Sequence, residues 1–262
     1  MAMEGAGTRE LLVNFLVVGA QKSGTTALAS FLGQHPEICH SPRKELHFFD
    51  SANYDDAEPI ERIRERYHAW FSNFTGQKIV GESTPRYMFL PVVAERIYRY
   101  NPEAKLIVLL RNPIDRTISH YHMAKRRKRE TRPLWLALTL EVLQPWLHHT
   151  PWGGKLRERN LLARGEYTKQ IQNLLRFFPR DQVLILRSED LLDRHEETLR
   201  KILSFVGVED LGRIPRAERV GDGGYPEIKS GWTRWVLRQW FRKEIKRLER
   251  FMQWDLREWK SS

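Results

Sequence analysis

The chain has 262 residues, 41% of them hydrophobic and 29% charged, with a formal net charge of +11. That balance describes a soluble globular protein, one large α/β domain or two small ones, and its charge points to a polyanionic partner: nucleic acid, anionic glycan, acidic membrane surface or a multiply phosphorylated cofactor. A single cysteine, Cys39, excludes an intramolecular disulfide and a cysteine-rich zinc site.

No apolar run in the sequence is long enough to cross a bilayer, and the residues before Phe15 lack the pattern of a signal peptide. With no internal repeat or linker, one domain over residues 1–262 and a cytoplasmic location are the expectations.

The first predicted strand, Val13 to Val18, runs straight into Gly19-Ala-Gln-Lys22-Ser23-Gly24-Thr25-Thr26 and an apolar helix expected over Thr26 to Leu32. Glycine permits a sharp turn, and the amides and positive dipole end of the following helix favour an anion. The spacing is near that of the nucleotide-binding G-x-x-x-x-G-K-[ST], but Thr25 stands where the lysine belongs and the lysine has moved back to Lys22.

Next comes Pro42-Arg-Lys-Glu45-Leu-His47-Phe48-Phe-Asp50. If extended, it sets Glu45 and His47 on one side and Phe48 and Asp50 on the other. A carboxylate beside an imidazole among aromatics suits a general base, although an isolated Glu-x-His is common on surfaces.

A helix over Pro59 to Phe71, a strand over Ile79 to Gly81 and a helix over Pro91 to Tyr98 follow, then a strand over Leu106 to Leu110. Arg111 leaves that strand, Pro113 opens a helix reaching Lys125, and Ser119 lies eight residues after the arginine. Such a pair can hold one phosphate, and it can equally be a salt-bridged arginine and a serine facing water. The run Lys125 to Arg129 either attracts an anionic acceptor or merely solvates a helix end.

Later elements are helices over Tyr167 to Phe177 and Glu189 to Val206, with a strand over Val183 to Leu186 between them. From Trp232 to Trp259 a basic amphipathic helix is expected to dock its aromatic face, including Trp235, Trp240, Leu248, Phe251 and Trp254, onto the core. The alternation of strands and helices predicts an α/β, P-loop-like, three-layer fold with a central parallel sheet flanked by helices. Ligands then collect beyond the carboxyl ends of the strands.

Together, Lys22 through Thr26, Lys44-Glu45-Leu-His47-Phe-Phe-Asp50 and Arg111-x-Pro-x-x-Arg-x-x-Ser119 resemble the sulfotransferases that use 3′-phosphoadenosine 5′-phosphosulfate (PAPS). The similarity is greatest to the heparan sulfate branch, the N-deacetylase/N-sulfotransferases and 3-O-sulfotransferases, and its bacterial relatives. It continues through Gly81-Glu82-Ser-Thr-Pro-Arg86-Tyr87 and Gly165-Glu-Tyr167 to Trp259.

The resemblance implies that Lys22, Ser23, Gly24, Thr25 and Thr26 hold the 5′-phosphosulfate, with Lys22 also neutralising the leaving phosphate. Arg111 and Ser119 would grip the 3′-phosphate, and Gly221, Gly223 and Gly224 would form a later cofactor loop. Glu45 would be the base for a hydroxyl or amine acceptor attacking in line, with His47, Asp50, Arg86 and Tyr167 on the acceptor side. No metal is required by such chemistry, and the product would be 3′-phosphoadenosine 5′-phosphate (PAP).

Two departures stand out. Ser83 replaces a lysine common in the heparan branch, for which Arg86 is a candidate substitute, and Asp222 interrupts the later glycine loop. The branch's eukaryotic disulfide and Golgi anchor find no counterpart, which fits a bacterial-type cytoplasmic enzyme. A glycan is the expected acceptor and a small hydroxylated metabolite the alternative; nucleic acid is not expected. Two other classes share parts of the pattern. A nucleotide-dependent kinase should carry lysine at position 25, and a basic nucleic-acid binder would stack bases on the Trp-rich segment.

Overall fold

The structure, a computed structural model, describes residues 11–143, 160–210, 212 and 231–261. In chain order its main elements are β1 (Phe15–Gly19), α1 (Thr25–Leu32), β2 (Ile38–His40), α2 (Ile60–His68), β3 (Ile79–Ser83), α3 (Pro91–Tyr100), β4 (Lys105–Leu110), α4 (Pro113–Arg126) and α5 (Leu134–Leu143). They continue with α6 (Tyr167–Leu174), β5 (Val183–Arg187), α7 (Ser188–Asp193), α8 (His195–Val206), α9 (Gly231–Met252) and α10 (Arg257–Ser261).

The five strands are parallel, in the order β2-β3-β1-β4-β5. Successive side chains of a strand point to opposite faces. Leu16 and Val18 of β1 and Leu106, Val108 and Leu110 of β4 enter one apolar core, shared with α3, α6 and α9. Phe15, Val17, Ile107 and Leu109 enter the other, shared with α1 and α8. Helices therefore cover both faces, as a parallel sheet requires, and the predicted three-layer fold is present.

The chain leaves β1 for β2 and β3 on one side and continues through β4 and β5 on the other, so the order reverses at β1. A crevice opens at the carboxyl end of a strand at such a reversal. Local chemistry sets the neighbouring helix starts. Pro91 and Pro113 occupy first turns, and Asn112 caps α4 by accepting from the Ile114 N–H at 3.0 Å.

Several boundaries differ from expectation. The helix expected over Glu189 to Val206 breaks at Arg194, which takes a non-helical conformation between α7 and α8. Strand β2 has only three residues and shows no alternation to reveal it. Helix α5 is apolar almost throughout, so its period is faint.

The aromatic face of the Trp-rich helix does not form the packed one. Thr233, Leu237, Phe241, Ile245 and Leu248 of α9 face the core, whereas Trp232, Trp235, Trp240 and Phe251 are exposed. Leu237, Phe241, Ile245 and Leu248 recur at three- and four-residue steps and make the deeper stripe. Trp254 packs partly buried beyond the helix end, and Trp259 is buried. Among the described residues no helix is long and apolar enough to cross a membrane.

Candidate active site

The segment after β1 folds into a tight loop. Lys22 at φ 74° and Gly24 at φ 88° are left-handed, and Gly24 forms the cap of α1. The Ser23 N–H donates to the Ala20 carbonyl at 3.2 Å, closing the turn. The first amides of α1 lack intrahelical acceptors and carry the positive end of the helix dipole. Room for the loop comes from Gly19, where a Cβ would fall 2.5 Å from Met88 Sδ.

Two features suit this loop to an anion. The Ser23 side chain is fully buried, and among the described residues its Oγ has no hydrogen-bond partner. A buried hydroxyl of that kind is normally satisfied, and an anion oxygen seated in the loop would satisfy it. Burial pushes the Lys22 ammonium below its usual range, and the charges of Arg126, Lys44, Arg111 and Arg127 push it further. A bound anion would relieve that repulsion. Thr25 is buried at the first turn of α1, and Thr26 is half-buried beside it.

Arg111, at the carboxyl end of β4, turns back to the same loop, its Nη1 lying 3.4 Å from the Lys22 carbonyl oxygen. Ser119 is half-buried on α4. Tyr167 is placed differently from the acceptor-side position expected for it. Its ring is fully buried and its hydroxyl donates to the Arg111 carbonyl at 2.8 Å, so it supports the arginine from below. Gly221, Gly223 and Gly224 lie outside the described residues.

Beyond β2 the chain is not extended, contrary to the alternation expected there. Glu45 at φ 57° and His47 at φ 55° are both left-handed, and the turns bring both acids to one imidazole. His47 Nε2 lies 3.5 Å from Glu45 Oε2, and its Nδ1 lies 3.1 Å from Asp50 Oδ1. Asp50 is fully buried and also receives Arg86 Nη1 at 3.2 Å.

The charges follow from these contacts. Hydrogen bonds from the imidazole to Asp50 and then to Glu45 raise the His47 pKa to about 9 against the opposing effect of burial. Burial alone would raise the Glu45 carboxyl. The His47 hydrogen bond and the charges of Lys44, His47 and Arg127 outweigh it and hold Glu45 below its usual range. An ionised carboxylate next to an imidazolium results.

A buried network fixes this turn from beneath. The Glu82 carboxylate accepts from Tyr67 at 2.8 Å, from Thr84 Oγ1 at 2.6 Å and from Tyr87 at 2.9 Å. Tyr87 in turn accepts from the Phe48 N–H at 2.9 Å, between His47 and Asp50. Burial raises the Glu82 carboxyl, with the three hydrogen bonds opposing it.

Ser83 puts a hydroxyl bonded to His40, and no cation, at that position. His40 Nδ1 must donate to the Ser41 carbonyl at 3.1 Å, so its Nε2 accepts from the Ser83 hydroxyl at 3.0 Å. Arg86 is the cation nearest in sequence, and it is buried against Asp50.

Glu45, His47, Asp50 and Arg86 line a cleft of about 720 Å3. Its walls also carry Arg127 and Arg129 of the basic run after α4, and three side chains to which the sequence assigned no role: Arg43, Lys44 and Arg164. Lys44 Nζ donates to Thr26 Oγ1 at 2.5 Å and lies 3.6 Å from Glu45 Oε1, touching both loop and carboxylate. Arg164 Nη1 donates to Gln21 Oε1 at 2.5 Å, next to Lys22. Burial first, then Arg116, lowers the Arg164 pKa to about 10. Arg127 and Arg129 of the basic run after α4 are exposed and line the rim of the cleft.

The arrangement couples an anion-binding loop to an ionised carboxylate through one lysine. It can hold a multiply charged donor and remove a proton from a nucleophile opposite. Among the described residues no group of three His, Cys, Asp or Glu side chains is placed to hold a metal ion.

Comparison with known proteins found similar sequences and structures. A model of the sulfotransferase domain matches residues 13–217. The crystal structure of a sulfotransferase from Alicyclobacillus acidocaldarius superposes with a TM-score of 0.77 at 30% identity, over 96% of this chain and 100% of the other. The membrane-associated sulfotransferase kil1 of Dictyostelium discoideum is 26% identical over 84% of this chain and 62% of its own length. Heparan sulfate glucosamine 3-O-sulfotransferase 3B1 of Mus musculus is 30% identical over 78% of this chain and 48% of its own length. The chain thus spans about half to three fifths of the length of these two relatives.

Proposed function

The chain belongs to the sulfotransferase family, and we propose that it moves a sulfuryl group from PAPS to a hydroxyl of a glycan, with Glu45 as general base. The observation that carries this reading is the position of Lys44, bonded to Thr26 of the anion loop and 3.6 Å from the Glu45 carboxylate. One side chain thereby sets the distance between donor site and base.

Bound PAPS would supply an activated sulfuryl group on a phosphate leaving group. The loop Lys22 to Thr26 would bind its 5′ end, with Lys22 and the α1 amides offsetting charge on the phosphate. Arg111, reaching over Lys22, would hold the 3′-phosphate together with Ser119. Glu45, already ionised, would accept the proton from the acceptor hydroxyl, and His47 would keep that carboxylate oriented. Asp50 and Arg86 would hold His47 in place rather than touch the acceptor.

The glycan assignment rests on the cleft walls, where six Arg or Lys side chains face two carboxylates. Such a surplus attracts an acceptor bearing carboxylate or sulfate groups. Its relatives include a heparan sulfate glucosamine 3-O-sulfotransferase. The test is transfer of ³⁵S from labelled PAPS to a panel of anionic glycans, neutral glycans and small hydroxylated metabolites. Labelling of anionic glycans by the wild type, and its loss in Glu45→Gln with PAP binding intact, is expected. Full transfer by Glu45→Gln would remove the base assignment, and failure to bind PAP would remove the whole reading.

A further inference from the structure

A second cleft, of about 540 Å3, adjoins the first. Leu46, His47, Ser51 and Trp70 line both, so the two lobes share one wall beside the imidazole that orients Glu45. The outer lobe is completed by Phe48, Asn53 and Arg66. It combines an apolar floor, two small polar groups, the His47 imidazole and Arg66, which pairs with Glu58.

Trp70 is the projecting part of the shared wall. It is 37% exposed, yet its backbone is fixed, with its N–H donating to the Tyr67 carbonyl at 3.1 Å. Its neighbours Tyr67 and Phe71 are buried in the aromatic core. Arg43, a lining residue of the inner lobe, lies 5.1 Å from the centre of the indole ring and steadies it by a cation–π contact. An aromatic ring held this way offers a flat apolar face at little further entropic cost, which is how rigid aromatics anchor ligands.

We propose that Trp70 is a specificity-determining ridge between two acceptor subsites. The inner lobe takes the unit that is sulfated, and the outer lobe takes an adjacent unit of the same saccharide chain. That unit stacks on the indole while Asn53 and Ser51 meet its hydroxyl groups, and an acidic group on it shares Arg66 with Glu58, the carboxylate that this guanidinium pairs with. The preferred acceptor is therefore an extended anionic saccharide and not a single small molecule. The inference rests on the sulfotransferase reading above.

The probe is a ladder of alternating uronic acid and hexosamine acceptors, from the single hexosamine to octasaccharide. ³⁵S transfer is measured for wild type, Trp70→Ala and Trp70→Phe, with PAP binding followed separately by thermal shift. Wild-type kcat/KM is expected to rise about tenfold or more from the single hexosamine to acceptors of two or more units, a difference of ~1.4 kcal/mol. Trp70→Ala should remove most of that gain through KM, and Trp70→Phe should restore most of it. A wild type indifferent to length, equal losses on short and long acceptors, or no transfer to any member while PAP still binds would each overturn the subsite. Loss of PAP binding in the wild type would instead overturn the underlying reading.

Discussion

Lys44 Nζ lies 2.5 Å from Thr26 Oγ1, a bond joining the turn after β2 to the loop after β1. The two segments come from different strand ends, and this bond ties the Glu45 turn directly to the loop. A hydrogen bond from a charged group contributes ~1.5–3 kcal/mol. If most of it acts on the transition state, Lys44→Ala should lower kcat/KM by roughly ten- to a hundredfold. The check is ³⁵S transfer at subsaturating acceptor, with thermal unfolding to confirm that the fold is retained. An unchanged kcat/KM would show that Lys44 is dispensable to the alignment.

The His47 imidazole sits between Glu45 and Asp50, and its pKa rises from 6.5 to about 9 on folding. The sign is that of a cation gaining partners. The stabilisation is complete below pH 6.5 and is lost as pH rises through about 9. Thermal stability should therefore decline across that window in the wild type and vary less in His47→Asn. Activity should share the upper limit, since Glu45 loses its orienting partner when His47 deprotonates. A pH profile of kcat/KM that ran level well above pH 9 would separate His47 from the base.

Tyr87 carries a structural prediction. Its hydroxyl donates to Glu82 and accepts from the Phe48 N–H, and the ring is fully buried. Tyr87→Phe keeps the packing but strands the Phe48 amide, for which the usual cost is ~1–3 kcal/mol. In a protein of this size that corresponds to a fall in Tm of roughly 2–4 °C per kcal/mol. Because Phe48 lies between His47 and Asp50, transfer should weaken along with stability, whereas PAP binding should hold. Calorimetry and PAP titration on the same variant separate the two effects.

Much of this was legible in the sequence because strand-end motifs are local. Glycine, lysine and hydroxyls within a few residues of Gly19 report a loop whose geometry the backbone alone decides. Arg111 was legible for the same reason. Lys44 and Arg164 were not, since each acts across a long sequence separation, on Thr26 and on Gln21, and no spacing encodes such a contact. The alternation expected at Glu45 to Asp50 failed because two left-handed residues bend the chain there, and neither is glycine. The outward aromatics of α9 show a related limit. Large apolar side chains mark a helical face, but the deeper stripe of Leu237, Phe241, Ile245 and Leu248 settles which face is packed.

Lys22 is crowded by Arg126, Lys44, Arg111 and Arg127, and its ammonium is held below its usual range by burial and by these charges. Such a cluster is electrostatically unfavourable until an anion arrives, so PAP should raise thermal stability, by ~2.7 kcal/mol at a hundredfold excess over Kd. Binding should weaken steeply with added salt, because exposed parts of the cluster are screened within ~8–10 Å at physiological ionic strength. Lys22→Ala removes one member of the cluster and the side chain nearest the expected phosphate. Affinity for PAP should then fall by tenfold or more with a shallower salt dependence, while the apo variant is at least as stable as the wild type, since a repelled charge has gone. Calorimetric titration at two salt concentrations checks both halves. If Lys22→Ala left affinity and salt slope unchanged, the anion would have to bind elsewhere on the basic surface.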